Sequence, residues 1–214
     1  MCALAKLAIV LSAALTPWVS AVAFTATISA ATPRALYLQV GTGSFTGGNY
    51  KAGGQPANNG TVNVVSATVP AAAVGNGTAQ AMTTNLAGPT FPSYYDGHAF
   101  CNSPGQLYIG GFYRRTSNAN AQGATLQAIV PPVLTNATGD TIPFSQIRWT
   151  SSGNGDTGAQ PFPAGTFVAG GTQTIGTIAR NQWAESCHTF SYANSAVVPS
   201  GTYTGRVVYQ LSAP

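Results

Sequence analysis

Charge is the scarcest commodity in this chain. Only 6% of its 214 residues are Asp, Glu, Lys or Arg, against about a quarter in an average domain. Beyond the first residues the cations are Arg34, Lys51, Arg114, Arg115, Arg148, Arg180 and Arg206, thinly spread. A protein that follows a nucleic-acid backbone needs a basic stripe, so nucleic acid is not an expected partner. Disorder is not expected either. Disordered chains combine high charge with few aromatics, whereas 10% of these residues are Phe, Trp or Tyr.

Acid–base groups are equally few. Past residue 23 the carboxylates are Asp96, Asp140, Asp156 and Glu185, and the histidines are His98 and His188. That is a thin supply for general acid–base catalysis. The patterns G-x-S-x-G, H-E-x-x-H and the phosphate loop do not occur. No catalytic residue, cofactor or metal is therefore expected. Tyr94-Tyr95-Asp96-Gly97-His98 is the most chemistry-like stretch, and a secreted hydrolase would use Asp96 and His98. Asp-Gly is also an ordinary turn, which is the preferred reading. Asn154-Gly155-Asp156-Thr157-Gly158 lacks the alternating acids and closing glutamate of a calcium loop and reads as a glycine-rich turn. His188 reads as a satisfied structural histidine.

Long apolar runs are missing too. The longest begins at Leu7 and ends at Leu15, well short of the roughly 20 residues that span a bilayer, so no membrane span is expected. Instead, Lys6 precedes this run, Pro17 breaks it and Ala21-Val22-Ala23 follows. A cation, a short apolar stretch and a small-x-small exit make a secretory signal peptide. The expectation is a leader over residues 1–23 and one β-domain over 24–214, secreted or at the cell surface. Losing the leader would leave 191 residues and lower the formal charge from +4 to +3.

Cys2 would leave with the leader. Cys101 and Cys187 would stay, and a lone pair in an oxidising compartment predicts a disulfide, worth about 4–5 kcal/mol in the chain-entropy model. The alternatives are two free thiols or a metal pair, and a closed zinc site would need His98 and His188 to converge on both cysteines.

Helix-period patterns are absent after residue 23, and strand patterns recur. Alternating or β-branched runs predict strands over 24–30, 35–40, 61–69, 106–113, 124–130, 144–150, 172–178, 187–192 and 201–211. Turn clusters such as Gly53-Gly54-Gln55-Pro56 and Ser151-Ser152-Gly153-Asn154-Gly155 separate them. Residues 83–92 read as a long loop. The fold class that follows is all-β, an antiparallel sandwich or barrel.

The final segment is more specific. Val198-Pro199-Ser200-Gly201-Thr202-Tyr203-Thr204-Gly205-Arg206-Val207-Val208-Tyr209 resembles the closing strand of bacterial chaperone–usher pilins and the related spore-coat-U-like secreted proteins. Ile142-Pro143-Phe144-Ser145-Gln146-Ile147 is similar to a mid-domain strand of that group. The resemblance implies an immunoglobulin-like sandwich lacking one strand, which a neighbouring subunit's N-terminal extension supplies. It implies self-association or other pilus subunits as partners, and a periplasmic chaperone. Over residues 24–33 the donor side chains would be Phe24, Ala26, Ile28 and Ala30. Pilins of this kind carry a cysteine just after the donor segment and this chain does not, so residues 24–30 also read as the first strand of a self-contained fold.

A second function is a glycan- or host-surface-binding module. Its candidate contacts are Tyr94, Tyr95, Tyr113 and Arg114, since aromatics stack on rings and arginine adds charge. For Tyr108, Phe112, Tyr113, Arg114 and Arg115 the preferred reading is a core strand with arginines at its exposed end.

Overall fold

In a computed structural model, residues 35–57, 62–88, 90–115 and 122–214 are described. The expectations placed on residues 1–34, including the leader and the donor residues Phe24, Ala26, Ile28 and Ala30, lie outside the described residues.

The chain runs through β1 (Ala35–Val40), the paired β2 (Ser44–Thr46) and β3 (Gln55–Ala57), β4 (Val65–Ser66), β5 (Gln80–Ala81), β6 (Thr83–Thr84), and the paired β7 (Thr90–Pro92) and β8 (Ala99–Asn102). It continues through β9 (Leu107–Arg114), β10 (Ala124–Val130), the paired β11 (Val133–Thr135) and β12 (Thr141–Pro143), β13 (Ile147–Ser152) and β14 (Gly165–Thr166). The last three strands are β15 (Gly171–Ile178), β16 (Gln182–Tyr192) and β17 (Val208–Ser212). The helical elements among the described residues are two 3-10 turns, Ala71–Ala73 and Phe144–Gln146.

Two antiparallel sheets make an all-β sandwich. The larger has the order β1-β9-β16-β13-β14, with β5 also beside β16, and the smaller has the order β15-β10-β17. Side chains alternate between the faces of a strand, and directly opposed residues share a face. The register therefore sorts the inward rows. From the large sheet they are Ile109 and Tyr113 of β9, Trp149 of β13, and Ala184, Ser186, His188 and Phe190 of β16. From the small sheet they are Ala124, Leu126, Ala128 and Val130 of β10, with Ile178 of β15. All are buried. Each large apolar side chain removed from water contributes about 1.5–3 kcal/mol.

The large sheet is unusual in being covered on its other face as well. The buried residues of β9 run without a break from Leu107 to Tyr113, as in a strand packed on both sides. The second cover comes from the β2–β3 and β7–β8 pairs, and the Cys101–Cys187 disulfide ties β8 to β16 beneath it.

Several predicted strands are shorter or displaced. Of the strand expected over 61–69, among the described residues 62–69 only Val65–Ser66 pairs, with β6. Asn63 instead turns its amide onto the β1–β2 turn, donating to the Val40 carbonyl at 2.8 Å and accepting from the Thr42 N–H at 3.1 Å, while Val62 and Val64 stay exposed. Val–x–Val composition describes a strand only where a partner exists. Residues 83–92 are not one loop, since they hold β6 and β7. The strand predicted from Phe144 begins at Ile147, after a 3-10 turn that follows Pro143. The closing strand begins at Val208. Before it, the 201–207 stretch pairs through one bridge, Thr204 to Thr135, while Tyr203 and Val207 pack against the core.

Candidate functional site

The outward row of β16 reads Trp183, Glu185, Cys187, and opposite it on β9 stand Phe112, Gly110 and Tyr108. Tyr37 and Gln39 of β1 extend the row beyond Phe112 and Gly110. This face lies under the second cover and holds an uncommon group, a carboxylate amid aromatic rings.

Glu185 accepts hydrogen bonds from three neutral donors. Ser93 Oγ lies 2.8 Å from Oε1 and 3.0 Å from Oε2. Tyr108 OH donates to Oε2 at 2.7 Å and Trp183 Nε1 at 2.9 Å. Gly110 makes the Tyr108 contact possible. A Cβ at that position would overlap the Tyr108 hydroxyl and ring, so only glycine lets the ring lie along the strand and reach the carboxylate. Burial, with the negative charge of Glu185 second, pushes the Tyr108 hydroxyl well above its ordinary range. Tyr108 therefore stays a phenol and a donor at any physiological pH.

Ser93 transmits this anchor to the loop between β7 and β8. Its Oγ accepts from the Tyr95 N–H at 3.0 Å, its N–H donates to the His98 carbonyl at 2.8 Å, and its carbonyl receives the Gly97 N–H at 2.9 Å. Gly97 sits at φ +83°, a left-handed position that the turn requires. The loop then bonds the β2–β3 connection through its backbone, Tyr50 N–H to the Tyr94 carbonyl at 2.9 Å and Lys51 N–H to the Tyr95 carbonyl at 2.7 Å. The Tyr94 hydroxyl donates to the Gly43 carbonyl at 2.8 Å and accepts from the Gly43 N–H at 2.5 Å. Burial raises its pKa, and the hydrogen bond with Gly43 opposes that rise.

Trp183 is the hub of the rings. Its centroid lies 5.3–6.3 Å from those of Tyr37, Phe45, Tyr50, Tyr95 and Phe112, within the range of favourable aromatic pairs. Beside this cluster an open cleft of about 290 Å³ lies between the two loops, lined by Phe45, Asn49, Pro92, Ser93, Tyr94 and the backbone of Gly48 and Gly97.

Of the residues singled out from sequence, Tyr94 and Tyr95 fall at this site, Tyr94 half-buried and Tyr95 37% exposed. Tyr113 does not. It points inward, is fully buried, and is corrected from a candidate contact to a core residue, because the pleat turns it away from the face that carries Phe112. Arg114 is the half-buried last residue of β9, opposite Ala35. Asp96 and His98 form a turn, with the Asp96 carboxylate accepting the His98 backbone N–H at 3.1 Å. His188 lies inside the sandwich, its Nε2 3.0 Å from the Phe162 carbonyl and its ring stacked on Trp149. Sequence reasoning missed Ser93, Trp183 and the role of Glu185. The available signal was that Glu185 is the sole glutamate of the chain and stands two residues from Trp183 in a stretch that also carries His188, Phe190 and Tyr192.

Among the described residues no three His, Cys, Asp or Glu side chains converge as a metal site, and no helix is long and apolar enough to cross a membrane. Comparisons of the chain with protein-family models, curated proteins and solved structures give no match.

Proposed function

We propose that this protein is an exported, non-catalytic structural subunit, similar to a fimbrial pilin, that joins its neighbours by β-strand addition. The observation that carries the reading is a half-covered apolar seam along one side of the sandwich. There β1 and β17 lie alongside each other. Among the described residues each is an edge strand, paired only with β9 and β10 respectively. Their inward rows, Leu36, Leu38 and Val40 on β1 and Tyr209 and Leu211 on β17, are opposite core positions of the neighbouring strands. None of the five is fully buried, and Leu36 is 38% exposed. Two adjoining edges with unfilled apolar rows invite an added strand. An extension with Phe24, Ala26, Ile28 and Ala30 at alternate positions has the period to fill such a seam from a second copy. Export of the chain, removal of residues 1–23, delivery by a periplasmic chaperone and a place on the cell surface belong to the same reading.

The test is to recover the processed protein from the periplasm or medium and run it unboiled on denaturing gels. A ladder of multimers is expected, and Ile28→Asp should abolish it while the monomer keeps its circular-dichroism spectrum. A wild-type protein that is strictly monomeric, or a ladder indifferent to Ile28→Asp, overturns the proposal. So does an Ile28→Asp monomer that loses stability when the wild type shows no ladder, since the segment would then belong to its own chain's sheet.

A further inference from the structure

We propose that the aromatic cover of the large sheet is a carbohydrate site, in which Tyr95 and the adjoining cleft take a neutral sugar ring. This stands apart from strand addition, since it uses the opposite face of β9 and neither inward row of the β1–β17 seam.

Rings that serve only to close a core are buried, and these are not. Tyr95 is 37% exposed, and Tyr50, Phe45 and Trp183 are all partly open. Tyr50 backs Tyr95 with a near-parallel ring, 26° between planes at 6.2 Å, so the exposed ring is held from behind and has a defined outer face. The cleft adds what a bare aromatic patch lacks. At about 290 Å³ it is at the small end of ligand pockets, and it combines apolar walls with a polar handle. The Asn49 side chain accepts the Ala52 N–H through Oδ1 at 2.9 Å, which turns Nδ2 toward Gly97, where a Cβ would meet it at 2.6 Å. That amide nitrogen lines the cleft without a hydrogen-bond partner among the described residues.

The ligand class follows from these groups. A pyranose presents an apolar C–H face to a ring and hydroxyl oxygens to a donor; Tyr95, which follows the cleft-lining Tyr94 and stacks on Tyr50, offers the ring, and Asn49, which lines the cleft and precedes Tyr50, offers the donor. The lining side chains carry no charge, so a sulfate, phosphate or carboxylate would lose water there without an ionic partner. The neutral lining selects a neutral glycan. The site is also prepared in advance. The disulfide, the Ser93–Glu185 anchor and the two backbone bonds between loops fix the loops before any ligand arrives, which lowers the ordering cost of binding.

The experiment titrates the processed protein with maltohexaose, cellohexaose, mannohexaose and N-acetylchitohexaose, with a heparin hexasaccharide and a decaproline peptide alongside. Calorimetry and tryptophan fluorescence report binding, and only Trp183 of the described tryptophans lies near the cleft. Saturable binding of at least one neutral oligosaccharide is expected. Tyr95→Ala should weaken it by about tenfold or more, Tyr95→Phe should preserve it, and Asn49→Asp, which keeps the Ala52 contact and removes the donor, should weaken it as well. All three variants should keep the wild-type circular-dichroism spectrum and a cooperative melt, because Tyr95 and Asn49 stand outside the core. Absence of saturable binding to every neutral oligosaccharide at millimolar concentration overturns the proposal. So do binding that Tyr95→Ala leaves unchanged, and preference for the heparin fragment or the proline peptide.

Discussion

His188 occupies the inside of the sandwich as a neutral ring between Trp149 and Phe190. Burial holds its pKa at about 4, below the ordinary 6.5, and the hydrogen bond with the Phe162 carbonyl only partly opposes that. Nε2 is committed to this bond, and Nδ1 has no partner among the described residues, so a proton arriving there brings a charge with nothing to receive it. The unfolded chain takes the proton near pH 6.5 and the folded chain only near pH 4. The stability this group provides is therefore complete above about pH 6.5 and lost as the pH falls toward 4, about 3 kcal/mol in all. Thermal melts across that window should show the midpoint falling with acid. His188→Gln, which keeps a donor for Phe162, should flatten the slope; an unchanged slope would place the acid sensitivity elsewhere. Glu185 makes a second test at the same scale. Replacing its charge by an amide in Glu185→Gln weakens bonds from Ser93, Tyr108 and Trp183 and turns N–H groups toward donors. A loss of about 2 kcal/mol is expected by denaturant titration, with a shift in Trp183 emission, and an unaltered midpoint would show that the anchor carries no stability.

The element whose position most depends on a covalent tie is the β7–β8 pair. It contributes Phe91 to the ring layer, and the Cys101–Cys187 bond spans 86 residues to fasten it to the longest strand. Replacing both cysteines by serine should cost about 2–5 kcal/mol. It should also open the Tyr94–His98 loop to protease before the sheets themselves unfold, an order that limited proteolysis with mass mapping would reveal. Simultaneous loss of loop and sheets would mean that the pair is held by its packing alone. The strands that tie the sandwich together were readable because their own residues carry the signal: β1, β10 and β15 alternate or are rich in β-branched residues, β9 is an apolar and aromatic run, and all four fall close to where the sequence places them. The 61–69 stretch was not readable, since the Asn63 side chain, not a neighbouring strand, decides its course. The second cover was hidden for a related reason. Tyr37, Phe45, Tyr50 and Trp183 are indistinguishable by composition from core residues; register assigns Tyr37 and Trp183 to the outer face, and ring contacts bring Phe45 and Tyr50 onto it. Tyr94 and Tyr95 were accessible as candidates because they stand together in a turn. Ser93 was not, because its importance comes from a glutamate 92 positions away.

At the scale of the whole molecule, the shortage of charge decides how an assembly would respond to its solvent. Seven cations and four carboxylates would remain in the processed chain, and none stands in the inward rows of β1 and β17 that line the seam. Association through that seam would rest on apolar burial and backbone hydrogen bonds, neither of which salt screens. The small net positive charge repels a like copy only weakly, and added salt reduces even that. The concentration at which half the protein is assembled should therefore hold steady or fall as sodium chloride rises from about 0.05 to 0.5 M, where the Debye length shrinks to a few ångströms. Sodium sulfate, which strengthens apolar burial by exclusion from the surface, should lower it further. Sedimentation velocity across both series reads this directly. A rise of about tenfold in that concentration with sodium chloride would assign the contact to ion pairs and move the interface from the seam to the few surfaces that carry Arg148, Arg180 or Arg206.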